Sequence, residues 1–124
     1  MGYLFVFLGG GVGAALRHGV NLGAARVFGT HFPFGTLTVN VLGSLFMGLM
    51  AAWFAFEGGP SQHWRLFLTT GMLGGFTTFS TFSLDTAFLY ERGQVGMAAL
   101  YVVVSVAAGL LGLFGGLALI RNFA

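Results

Sequence analysis

Between Gly71 and Thr86 the chain reads GMLGGFTTFSTFSLDT, with Thr77, Thr78, Ser80, Thr81 and Ser83 interleaved among Phe76, Phe79 and Phe82. Earlier, Thr36, Asn40 and Ser44 recur at four-residue spacing, and so do Tyr101 and Ser105 later, so each set falls on one face of a helix. Such side chains do coordination chemistry. A hydroxyl donates and accepts, an amide offers two N–H groups, and a phenylalanine ring has a negative face and a positive edge. Edge-on rings with neutral donors suit a small, strongly hydrated anion, whereas face-on rings suit a cation. Gly71, Gly74 and Gly75 loosen the backbone just before the hydroxyls, and a helix broken there frees carbonyls that suit Na⁺. At this level the ion's sign stays open.

Bond-making chemistry has no foothold. Cysteine is absent, which removes thiol nucleophiles and thiolate metal sites. Ser80 has no histidine near it in sequence, and His18, His31 and His63 sit at segment ends or in links. No acid pair or metal-ligand cluster is present in the sequence, and Asp85, the one acid within a span, lies close to a link. The expectation is therefore a protein that is not an enzyme. The pI near 9.7 rests on five arginines against three acids, with no lysine and no basic cluster, so nucleic acid is not an expected partner. Gly9 to Ala14, GGGVGA, matches a dinucleotide-binding turn by letter alone. The acid that turn requires about 20 residues on is missing, since the first acid is Glu57.

What must position these residues follows from composition. Of 124 residues, 56% are hydrophobic and 6% charged, against about 25% charged in a soluble domain, so the expected solvent is lipid. Four apolar segments, about 3–28, 34–56, 65–90 and 94–120, each approach the roughly 20 residues that cross a bilayer. The links, 29–33, 57–64 and 91–93, leave no room for a soluble domain. The expected architecture is an all-α integral membrane protein: residues 1–124 form one domain of four transmembrane helices, the third broken near its middle. The N-terminus lacks the positive region of a secretory leader and reads as the start of the first span. Asp85, Glu91 and Arg92 should anchor the end of the third span, with Asp85 open to pairing with an arginine of another helix. Glycines four apart (Gly9/Gly13, Gly19/Gly23, Gly71/Gly75, Gly112/Gly116) should let helices approach closely, within and between subunits.

The arginines divide almost evenly. One side of the membrane would hold Arg65 and Arg121, the other Arg26 and Arg92, with Arg17 deeper in the first span. That balance gives the positive-inside rule little to act on. It leaves insertion in both orientations open, and with it an antiparallel homodimer about a two-fold axis in the membrane plane. Arg17 itself reads either as a snorkelling side chain or as a cation drawing anions into a vestibule.

Over nearly its whole length the chain resembles the CrcB/Fluc family of fluoride channels, through Gly9 to His18 (GGGVGAALRH), Pro33 to Ser44 (PFGTLTVNVLGS) and Gly71 to Ser83 (GMLGGFTTFSTFS). The resemblance implies a dual-topology homodimer in the cell (inner) membrane with two antiparallel pores that passively export cytoplasmic fluoride. It puts Phe79 and Phe82 against the ion, with Asn40, Thr36, Ser80 and Thr81 beside them and Tyr101 and Ser105 on a polar track. It further implies Arg17 in a vestibule and a structural Na⁺ at the dimer centre, held by the backbone carbonyls of Gly74 and Thr77. His18 stands where an aromatic residue is more usual. Two other readings remain beside this one: a dimeric four-helix exporter of small solutes, and a non-transporting membrane assembly subunit.

Overall fold

The computed structural model describes residues 1–57 and 62–123, and all regular structure among them is helical. Helix α1 (Gly2–Phe28) and helix α2 (Phe34–Glu57) come first. The next segment is composite: α3 (Gln62–Arg65) runs into a π-helical stretch (Leu66–Leu73), then α4 (Gly74–Phe76), then α5 (Phe79–Glu91). Helix α6 (Val95–Phe123) closes the chain. Part of the link expected over 57–64 lies outside the described residues.

Three helices, α1, α2 and α6, are long and apolar enough to cross a membrane. At 27, 24 and 29 residues they reach about 40, 36 and 44 Å, against a hydrocarbon core of about 30 Å. Their outer faces carry exposed Phe7, Leu16, Val103, Leu111 and Phe114. A soluble protein would hide such residues, whereas a lipid-solvated one presents them. The buried cluster is small. Phe32, Leu89, Ala98 and Tyr101 form it, with Phe34, Leu37 and Phe82 packed against them, where the first link, the end of α5 and the start of α6 converge.

Close helix contact rests on glycine. Helix α1 packs on the π-helical stretch and α4, and α2 packs on α6. A Cβ on Gly71 would lie 2.9 Å from Gly9 Cα, and one on Gly75 would lie 2.5 Å from the Gly10 carbonyl oxygen. A Cβ on Gly13 would run into the Met72 carbonyl and sit 2.8 Å from Phe76 N. Across the other pair, a Cβ on Gly116 would lie 2.7 Å from Leu49 N, and one on Gly112 3.2 Å from the Val41 oxygen. The four-residue glycine spacing therefore marks backbone-to-backbone contact at three of its four occurrences. Gly19 and Gly23 differ, because a Cβ at either would meet nothing within 4 Å.

The short links are turned by glycines at φ 82°, Gly29 after α1 and Gly93 after α5. That left-handed region costs glycine no Cβ clash. The Gly29 N–H donates to the Ala25 oxygen and the Gly93 N–H to the Tyr90 oxygen, each at 3.0 Å, so each turn satisfies one of the terminal carbonyls of its helix.

Candidate functional site

Regular helical geometry lapses at two residues. Thr77 (φ −90°, ψ 159°) and Thr78 (φ −154°, ψ 120°) are extended, and they separate α4 from α5. Extended residues beside helix ends lose their intrahelical partners, and apolar surroundings make that costly. Two side chains, Thr78 and Asn40, repair the loss. Thr78 caps α5, its Oγ1 accepting from Thr81 N–H at 3.2 Å. The Thr77 hydroxyl adds a second bond to the Leu73 oxygen, at 3.1 Å, beside the Thr77 N–H that already donates there. Most tellingly, Asn40 on α2 treats Thr78 as a strand partner: Thr78 N–H donates to Asn40 Oδ1 at 2.8 Å, and Asn40 Nδ2 donates to the Thr78 oxygen at 3.0 Å.

This clamp has two consequences. Asn40 Nδ2 carries a second N–H beyond the one given to Thr78. In a continuous helix Thr78 N–H would donate to the Gly74 oxygen, so diverting it to Asn40 deprives that carbonyl of its α-helical donor. One residue on, the Gly75 oxygen accepts from Arg17 Nε at 3.1 Å. Arg17 is thus tied through Nε to the interrupted segment.

The aromatic residues form a chain. Phe79 and Phe82 have centroids 5.8 Å apart, Phe82 and Tyr101 5.1 Å, and Phe32 meets Tyr101 edge-on at 5.4 Å. Phe82 is half-buried, while Phe79 is 79% exposed, so the rest of the chain leaves that ring open. Phe79 also lines a cavity of about 290 Å³ with Asn40, Ser44, Thr77 and Thr78. Ser80 is exposed and Thr81 half-buried at the start of α5.

On α6, Tyr101 and Ser105 are buried one turn apart, facing inward as their spacing suggests. The Tyr101 hydroxyl donates to Asp85 Oδ2 at 3.2 Å, so Asp85 has a tyrosine partner rather than the arginine considered above. Ser105 Oγ is buried and has no hydrogen-bond partner, which ordinarily costs about 1–3 kcal/mol. Thr36 is also buried, 4% exposed. By contrast, Ser83 and Thr86 turn their hydroxyls back onto the Phe79 and Phe82 oxygens at 3.0 and 2.9 Å. That back-bonding occupies their protons. Ser80 Oγ likewise lies 3.4 Å from Thr78 Oγ1, so the hydroxyls at the break bond within the composite segment, whereas Ser105 Oγ on α6 has no partner.

Helices of membrane length, an apolar exterior and an interior of neutral donors define a small integral membrane protein. The family model described as CrcB-like protein, Camphor Resistance (CrcB), matches residues 4–117, and the chain belongs to that family. It is 62% identical over 122 residues to Fluoride-specific ion channel FluC 2 of Nitrobacter hamburgensis, with 98% of each chain covered. It is 65% identical over 121 residues to Fluoride-specific ion channel FluC of Rhodopseudomonas palustris (strain BisB5), again covering 98% of each. With the protein of the same description from Methylobacterium nodulans it shares 62% identity over 120 residues, covering 97% of this chain and 96% of the other.

Proposed function

We propose that this chain is the subunit of a fluoride-specific channel, a multi-pass protein of the bacterial inner membrane that lets cytoplasmic fluoride leave down its gradient. The observation that carries the reading is end-to-end similarity to relatives bearing that description, at 62–65% identity in the three compared. The chemistry of the break agrees with it. Fluoride surrenders its water only to donors that replace it, and an anion path must offer N–H, O–H and ring edges instead of carboxylates. The second Asn40 N–H, the unpartnered Ser105 hydroxyl, Thr36, Ser80 and Thr81 are such donors. Phe79 and Phe82 supply the edges. Tyr101 is held by Asp85, so its role is to fix the Phe82 ring and the track beside it.

In this proposal the composite segment is one membrane crossing, making four per subunit, interrupted at Thr77 and Thr78. The subunit works as an antiparallel homodimer of dual topology. A ring as open as Phe79, beside a cavity that includes Asn40, needs a second subunit to close the path around it. The balanced arginines permit insertion both ways up. Na⁺ fits the Gly74 oxygen, which has lost its helical donor, together with the Thr77 oxygen at an extended residue. When bound there it would supply positive charge that offsets the cost of an anion nearby.

The test is efflux from liposomes holding the purified protein, followed with a fluoride electrode and with chloride as the control. Rapid loss of fluoride without chloride is the expected result. Phe79→Ile should slow that efflux at least tenfold while the protein elutes as the wild type does, because an exposed ring leaves little packing to lose. Intact dimers that retain fluoride would return the donor track to a packing role, as the assembly-subunit reading has it. Saturable efflux driven by a proton gradient would favour the exporter.

A further inference from the structure

A cavity of about 670 Å³ opens where the end of α1, the first link, the start of α2 and one face of α5, from Thr81 to Glu91, meet. Its lining runs from surface to interior. Thr30, Glu91 and Arg92 are exposed at its rim, and Thr36 is buried at its floor. Between them stands Asp85, whose carboxylate accepts from Tyr101 on the candidate path. The lining thus runs from water to Thr36 and Thr81 of that path, and Asp85 ties it to Tyr101. The charges on its lining are unexpected for an anion conduit, since Asp85 and Glu91 oppose Arg92 alone and leave one net negative charge.

We propose that this cavity is a mouth of the fluoride path and that its net negative lining holds back anion access at low ionic strength, with Arg92 partly relieving the restraint. The proposal rests on the fluoride-channel reading above. Charges lining a cleft with low-dielectric walls change the local ion concentration, and therefore the rate at which ions arrive. A unit charge about 10 Å from the ion's route through water changes that concentration roughly two-fold. The effect fades once the screening length falls to about 8 Å at physiological salt.

The chain has no cysteine, so an introduced one reports alone. Thr30→Cys places a thiol on the rim, and Arg121→Cys places one at the far end of α6. Each protein, in liposomes, is treated with a cationic or an anionic methanethiosulfonate reagent, and labelling is verified by mass spectrometry. Fluoride efflux through labelled Thr30→Cys should rise about two-fold with the cation and fall about two-fold with the anion at low salt. The difference should shrink at about 0.15 M salt, where screening is stronger. Labelled Arg121→Cys should not distinguish the reagents. As a second arm, Glu91→Gln should raise low-salt efflux and Arg92→Gln should lower it. Unmodified protein passing fluoride secures the channel reading independently. Labelled Thr30→Cys passing fluoride equally with either reagent, or both glutamine variants moving efflux in the same direction, overturns the mouth.

Discussion

Asn40→Asp is expected to reduce fluoride efflux about a hundredfold or more, with the subunit still folded. The substitution keeps the shape and keeps Oδ1 as an acceptor for Thr78 N–H. It removes Nδ2, so the Thr78 oxygen loses its donor and faces a carboxylate oxygen instead. It also puts a fixed negative charge beside the place proposed for the ion. Two unit charges about 5 Å apart at an effective dielectric of 20 repel by about 3 kcal/mol, roughly two hundredfold in rate. Asn40→Ala separates this from structural damage, because it adds no charge but orphans both Thr78 backbone groups. Its expected signature is a loss of about 1–3 kcal/mol of stability, read as a lower thermal midpoint in detergent. Efflux through Asn40→Asp equal to wild type would remove Asn40 from the path and leave it as a clamp alone.

How much of this was legible beforehand differs from residue to residue. Solvent and the glycine contacts follow from composition and spacing, because a bilayer admits so few backbone arrangements. Gly13 and Gly75 sit against another backbone where their four-residue spacing puts them on an inner face. Helical periodicity likewise brings Tyr101 and Ser105 inside together. Partnerships across the chain were less accessible. Asn40 and Thr78 stand 38 residues apart and Arg17 and Gly75 58 apart, and nothing local in the sequence pairs them. Asp85 illustrates the same limit: charge alone suggests an arginine partner, yet packing delivers the Tyr101 hydroxyl. The π-helical stretch over Leu66–Leu73 carries no proline or charge signal that would announce it. The polar composition of Gly71 to Ser83 signals that something unusual happens there. Which hydroxyls remain available, with Ser83 and Thr86 folded back on their own helix, is decided by geometry.

The second large effect is expected from Gly13→Leu, which should prevent a stable subunit from forming. Even the Cβ of that side chain meets the Met72 carbonyl and lies 2.8 Å from Phe76 N. Both neighbours are backbone, so no rotamer change can clear the space. The rest of the leucine can be accommodated only by parting α1 from α4 and the π-helical stretch, at an expected cost of about 3 kcal/mol. Parting them undoes the Gly9–Gly71 and Gly10–Gly75 contacts and withdraws Arg17 from the Gly75 oxygen one turn along. The donor geometry at the break would fail with the packing. Gly19→Leu makes the same chemical change where a Cβ meets nothing within 4 Å. Its subunit should therefore fold with a wild-type helical spectrum and thermal midpoint. Under the dimer proposal Gly19→Leu carries a further reading, since its open face is available to a second subunit. A folded protein that elutes as a monomer would place that face in the dimer contact, and a folded dimer would turn it toward lipid. Gly13→Leu as stable as wild type would show that α1 does not lie against α4 as described.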